Sequence, residues 1–158
     1  SRLIVDANEA WEPHMVQPYS DILAELGVEL IEQPLPSGAD GILADIPHAV
    51  PICADESCHV AADLAALEGR YDMVNIKLDK SGGLTEGLAM AEEARQRGFG
   101  IMVGCMLGTS LAMAPAILLA TRADVVDLDG PLLLATDRPA ALAYRDSRVS
   151  APRAELWG

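Results

Sequence analysis

Long apolar runs, basic clusters and a paired set of cysteines are all missing from this sequence, and each absence argues against a class of function. No apolar stretch approaches the roughly 20 residues that a membrane-spanning helix needs, and no signal peptide is visible. Lysine and arginine number 11 against 24 aspartates and glutamates, giving a net charge of −13 that argues against a nucleic-acid partner. Cys53, Cys58 and Cys105 are odd in number and unpatterned, which suits free thiols in a cytoplasm better than a disulfide framework. Cys53, Cys58 and His59 match no structural zinc spacing, and His14 and His48 read as surface or loop residues without a partner. There is no G-x-S-x-G elbow and no phosphate-cradling glycine loop. Aromatic residues make up only 4% of the chain, so small aliphatic side chains must fill any core. Trp11 reads as packing under the loop that follows the first strand.

What is present is apolar and regular. Hydrophobic residues account for 51% and mean hydropathy is +0.21, enough over 158 residues for one folded domain. Short apolar runs alternate with segments of helical periodicity. Leu3–Val5, Val28–Ile31, Val50–Ala54, Met73–Ile76, Gly100–Val103 and Val125-Val126 read as strands. Helices are expected over Met15–Leu26, around Gly41–Ile46, over Val60–Leu67, Leu84–Arg97 and Ser110–Ala120, and more weakly near Pro139–Tyr144. The residues that end the strands stand at 6, 32, 55, 77, 104 and 127, at intervals of 26, 23, 22, 27 and 23. Continuous rather than alternating apolar runs belong to parallel strands covered on both faces.

Such βα units either wind into an open sheet or close into a barrel. A dinucleotide-binding sheet wants a glycine fingerprint after its first strand, and Asp6-Ala7-Asn8-Glu9 carries none. A barrel gathers its functional groups at the carboxyl ends of the strands, which is where the polar residues of this chain stand. The reading is therefore an α/β fold, a (β/α)8 TIM-type barrel present as about six βα units, strands 3 to 8. A complete barrel typically takes about 250 residues. The expected division is 1–143 as the partial barrel and 144–158 as a tail packing toward a capping domain. Two open strand edges invite association, so a homo-oligomer is expected.

Three consecutive strand ends carry Asp6, Glu32 and Asp55. One such acid is ordinarily an N-cap or half of a salt bridge. Three in phase converge on one mouth, where they raise each other's pKa unless a cation neutralises them. A hard divalent ion, Mg²⁺ or Mn²⁺, is the matching partner. Asn8, Gln33 and Glu56 lie one or two residues beyond these acids and can support them from behind. Lys77 ends the fourth strand, where a cation at the tip of a buried run is costly unless it is used or snorkels out. Lys80, three residues on, reads as a solvated or helix-proximal cation. Asp127 and Asp129, one residue apart, point to one side and suit a cationic amine; the alternative is a capping pair.

The series Asp6-Ala7-Asn8, Glu32-Gln33-Pro34, Ala54–Ser57, Asn75–Gly83 and Asp127–Pro131 resembles the muconate-lactonizing subgroup of the enolase superfamily, and within it the dipeptide epimerases of the L-Ala-D/L-Glu type. The resemblance implies that Asp6, Glu32 and Asp55 bind Mg²⁺, that Lys77 is an acid/base lysine, and that Asp127 and Asp129 hold the substrate's α-ammonium group. It places Cys105 and Met106 in the loop lining the substrate. It also implies a second acid/base lysine, in a KxK motif on a strand that precedes these six, and an amino-terminal capping domain that recognises the dipeptide's second side chain. The implied reaction is epimerisation through an enediolate. Other chemistries on the same scaffold are a cycloisomerase, an o-succinylbenzoate synthase and an N-acylamino acid racemase. A Schiff-base aldolase would use Lys77 but not three acids, and a non-catalytic metal-binding fragment is the remaining reading.

Overall fold

The computed structural model describes residues 2–158. Six parallel strands lie side by side in chain order: β1 (Leu3–Asp6), β2 (Val28–Glu32), β3 (Ile52–Ala54), β4 (Met73–Lys77), β5 (Gly100–Gly104) and β6 (Val125–Val126). The sheet is open, a half-barrel whose edges are β1 and β6, and Leu3 at the first edge and Val126 at the second are about half exposed.

Helices α1 (Pro13–Glu25), α2 (Leu64–Leu67), α3 (Leu78–Ser81), α4 (Leu84–Gln96) and α5 (Ser110–Ala120) form the crossovers. Pro13 opens α1 at a position where its fixed φ is already helical and its missing N–H is not needed. The larger core lies between helices and sheet, with Ile52, Val74, Ile76, Ile101 and Val103 facing Leu64, Met90, Met113 and Leu119. A second, smaller cluster of Leu30, Cys53, Met102 and Val125 joins the other strand faces. The alternation of the two sets along each strand is the period-2 geometry of a sheet buried on both sides. Trp11 packs against the larger core and meets Tyr19 edge-on at 5.2 Å, as its position implies.

Three local expectations change. The segments read as helical at Gly41–Ile46 and Val60–Leu67 are a 3₁₀ turn at Asp40–Asp45 and a 3₁₀ turn at Ala61–Asp63 running into the single turn of α2. Pro139–Tyr144 is not helical: Ala140 takes φ +57°, which breaks the pattern, and the chain enters a hairpin of β7 (Tyr144–Arg145) and β8 (Arg148–Val149). An extra helix, α3, separates β4 from α4 and ends at Gly82 with φ +82°, a conformation that glycine adopts without penalty. The closing segment lies on the chain's own core through Tyr144, Val149 and Leu156. Among the described residues no helix is long and apolar enough to cross a membrane.

Candidate active site

The parallel register sets Asp6 directly beside Glu32, and Asp55 follows one residue after β3 ends. All three acids therefore stand at the same end of the sheet. Asp6 is held by Asn8, whose backbone N–H donates to Oδ1 at 2.8 Å and whose side chain donates to Oδ2 at 3.2 Å. Glu32 is only 4% exposed and accepts one hydrogen bond at 2.7 Å from Asn75 Nδ2. Burial pushes its carboxyl up to about 7; Asp55 and Asp6 add to the rise, while the Asn75 hydrogen bond and Lys77 offset part of it.

Asp55 has the opposite fate. Burial works against its charge, but Lys80 and Lys77 together hold it below the usual carboxylate value. Lys77 Nζ donates to Oδ2 at 2.5 Å. Burial would lower the Lys77 ammonium, yet the bond to Asp55 and its charge outweigh that and raise it. Lys80 is not a solvated cation: it bonds Asp55 Oδ1, the Asp55 backbone carbonyl at 2.6 Å and the Asn75 carbonyl at 3.3 Å, filling all three donors. The short helix α3 causes this, turning residue 80 back over the end of β3. The only two lysines of the chain thus share one carboxylate.

Two further residues shape the mouth. Asn75 is fully buried in mid-strand, and its Oδ1 has no hydrogen-bond partner among the described residues. A polar side chain inside an otherwise apolar strand must find partners, and that was the available signal. Gly104, paired with Lys77 across β4 and β5, leaves the space: a Cβ there would stand 2.7 Å from Asn75 Oδ1 and 2.8 Å from its Nδ2. Glu56 Oε2 is likewise buried without a partner, and burial, then the charges of Asp55, Glu9 and Asp6, raise its carboxyl. Gln33 is completely buried and accepts the backbone N–H of Asp55 at 2.8 Å.

Across the mouth, Asp127 and Asp129 follow the two-residue β6. Burial first and Asp129 second raise Asp127, which also senses Lys77 and Asp6. Cys105 and the half-exposed Met106 lie in the loop after β5, which runs so close to Gly130 that a Cβ there would meet Met106 O at 2.8 Å. The structure thereby brings Cys105 alongside the Asp127–Asp129 pair, whose charges raise its thiol after burial has done most of the work. Asp127 and Asp129 also border a cavity of about 460 Å³ between α5, β6 and the β7–β8 hairpin.

Asp6, Glu32 and Asp55 are an all-oxygen donor set on adjacent strand ends. Among the described residues no three acidic, cysteine or histidine side chains already stand in a coordinating arrangement. Both oxygens of Asp55 are instead taken by lysines. In chemistry the set fits a hard divalent ion, with Lys77 as the displaceable occupant, since it makes a single bond where Lys80 makes three.

The Enolase C-terminal domain-like family matches residues 1–155. An N-acetyl-D-glutamate racemase from Pseudoalteromonas sp is 52% identical over all of this chain and half of its own length. An L-Ala-D/L-Glu epimerase from Escherichia coli (strain K12) is 54% identical over 90% of this chain and 44% of its own length. The crystal structure of an enolase family member from Agrobacterium tumefaciens, with homology to dipeptide epimerases and bound sodium and L-Ala-L-Glu, superposes with a TM-score of 0.97. It is 59% identical over the whole chain and 48% of its own length. Dipeptide epimerases complexed with Mg are also among the structural neighbours. The chain spans about half the length of the curated relatives it matches.

Proposed function

Because this chain belongs to the enolase C-terminal domain-like family, we propose that it forms the catalytic half of a Mg²⁺-dependent dipeptide epimerase. The observation that carries the proposal is the concentration of Asp6, Glu32, Asp55 and Lys77 at one end of the sheet. Asp6, Glu32 and Asp55 hold Mg²⁺, with Mn²⁺ as a substitute, and Asn8, Gln33 and Glu56 support them. When bound, the ion supplies positive charge for the substrate carboxylate and for the enediolate that α-proton removal leaves.

Lys77 moves the proton. While it is bonded to Asp55 Oδ2 it is a poor base, its ammonium raised by that bond. A cation held by Asp55 would take the oxygen that Lys77 now occupies, leaving Nζ free to act as the base. Asp127 and Asp129 receive the α-ammonium of the dipeptide, and Cys105 and Met106 line its path. Reprotonation from the other face needs a second acid/base group. Lys80 is unsuited to that role, because all of its donors are fixed on backbone and carboxylate oxygens. We assign the second group, the capping of the site and the covering of the β1 and β6 edges to chain beyond these six strands. We place residues 1–143 in the barrel and 144–158 in the tail that meets the cap. We place the protein in the cytoplasm, where its three free thiols suit a reducing setting, and its active form as a homo-oligomer.

A second reading is racemisation of an N-acetylated amino acid, the activity named for the Pseudoalteromonas relative. An acylated nitrogen carries no charge and gives Asp127 and Asp129 nothing to pair with. Exchange of the substrate α-proton in D₂O, followed by NMR on the protein at its natural full length, separates the two. L-Ala-L-Glu is expected to exchange only when Mg²⁺ is present, and faster than N-acetylglutamate. The reverse order assigns the racemase reading, and exchange without Mg²⁺, or borohydride trapping of Lys77, removes the enediolate mechanism.

A further inference from the structure

Gln33 is connected to every strand that bears one of the three acids. Its backbone carbonyl accepts the N–H of Glu9, beyond β1, at 2.8 Å, and its own N–H donates to Cys53 O of β3 at 2.9 Å. Its side-chain Oε1 accepts from the N–H of Asp55 at 2.8 Å and of Ser57 at 3.2 Å. Nε2 reaches Leu35 O at 2.8 Å and the hydroxyls of Ser57 and Tyr71, both at 2.9 Å. Gln33 holds this position at φ +34°, a left-handed backbone that a non-glycine residue keeps only when its surroundings over-determine it.

Backbone partners fix the orientation of the amide, since the Asp55 and Ser57 N–H groups only donate and the Leu35 carbonyl only accepts, and a buried carboxylate reinforces it from behind. Asp40 is buried, and its Oδ2 accepts from Ser57 Oγ at 2.6 Å and from Tyr71 OH at 2.7 Å, with Arg70 Nη1 3.6 Å from its other oxygen. A carboxylate only accepts, so both hydroxyl protons point at Asp40 and both hydroxyl oxygens are left to accept from Gln33. The two hydrogens of the Gln33 NH₂ are thus shared among the Leu35 carbonyl and these two hydroxyl oxygens, while its carbonyl faces the N–H groups of Asp55 and Ser57.

We propose that Gln33 is a positioning residue that fixes the relative placement of Asp6, Glu32 and Asp55, and that buried Asp40 braces it there through Ser57 and Tyr71. The proposal rests on the reading of those three acids as a divalent-cation site. Neither Asp40 nor Tyr71 touches that site, so their effect on it passes through Gln33 and through Ser57, which stands two residues after Asp55.

The test is Mn²⁺ affinity, read by electron paramagnetic resonance on the protein at its natural full length, with melting temperature recorded alongside. Gln33→Met is expected to weaken Mn²⁺ binding about tenfold or more, and Asp40→Asn and Tyr71→Phe several-fold, in the range typical of groups that orient metal ligands. Ile101→Val, a core change at the far end of β5, is expected to lower the melting temperature and leave Mn²⁺ affinity unchanged. If Gln33→Met does not fold, Tyr71→Phe decides, since it deletes a single hydroxyl. Variants that melt earlier yet bind Mn²⁺ as the wild type does would reduce the network to a structural role and overturn the proposal. A wild-type protein that binds no Mn²⁺ would instead overturn the cation reading beneath it.

Discussion

The two sides of the strand-end mouth are built differently. On one side β1, β2 and β3 are laced together at their ends: Asp6 by Asn8, Glu32 by Asn75, Asp55 by Lys77 and Lys80, and all three strands by Gln33. On the other side β6 is two residues long, Asp127 and Asp129 stand in the exposed stretch after it, and Leu132 and Leu133 beside them are 61% and 72% exposed. The difference matches the binding roles proposed for the two sides. A small divalent ion demands oxygens held in a near-ideal geometry once it is bound. An ammonium group on a flexible substrate needs negative charge within a few ångströms, and its final enclosure comes from elsewhere in the protein.

The comparison breaks most visibly at Lys77. Lys77→Ala is expected to lower α-proton exchange about a thousandfold from one stereoisomer of the substrate, the scale of a lost general base. Equal losses from both would place the base elsewhere. Next in size is the pH response of the acid side. The Glu32 carboxyl is raised from 4.5 to about 7, so the folded state holds that proton more tightly than the unfolded chain. Stability without divalent ions is therefore full below about pH 4.5 and falls by about 3 kcal/mol as pH rises to about 7. Asp55, lowered from 3.8, acts with the other sign and loses its contribution only as pH falls below that value. Urea unfolding between pH 4.5 and 7 measures the first effect. Glu32→Gln should flatten the slope, and an unchanged slope would assign it to another group.

A smaller effect is expected at Gly104. The Cβ of Gly104→Ala would overlap Asn75 at 2.7–2.8 Å, costing about 1–3 kcal/mol of stability and displacing the hydrogen bond to Glu32. Mn²⁺ affinity should fall with it, and an unaffected affinity would show that Asn75 does not hold Glu32 in place. The smallest effect belongs to the looser side. Asp129→Asn should raise the KM for L-Ala-L-Glu about fivefold, the worth of one exposed charge pair, and leave kcat nearly unchanged. A large fall in kcat would mean that this side is as tightly built as the other.

Much of the tight side was legible in the sequence, because buried parallel strands are apolar to their last residue and any acid or lysine there stands out. The strand ends at Asp6, Glu32, Asp55 and Lys77 follow from that alone. What lies behind them was not legible. Gln33, Asp40, Ser57 and Tyr71 meet across separations of up to 38 residues, and no local pattern encodes which buried hydroxyl faces which carboxylate. Lys80 was misplaced because the single turn of α3 is too short to show periodicity. Pro139–Tyr144 carried a weak helical pattern, but packing of the hairpin on the core decided otherwise.

The central claim is that Asp6, Glu32 and Asp55 are one cation site from which Lys77 is displaced. A crystal of the protein at its natural full length, grown with Mn²⁺ and measured for anomalous scattering, tests it directly. The expected result is a peak about 2.1 Å from an oxygen of each acid, with Lys77 Nζ withdrawn from Asp55 and Lys80 still bonded to it. A peak between Asp127 and Asp129, or no peak with Lys77 still on Asp55, would contradict it.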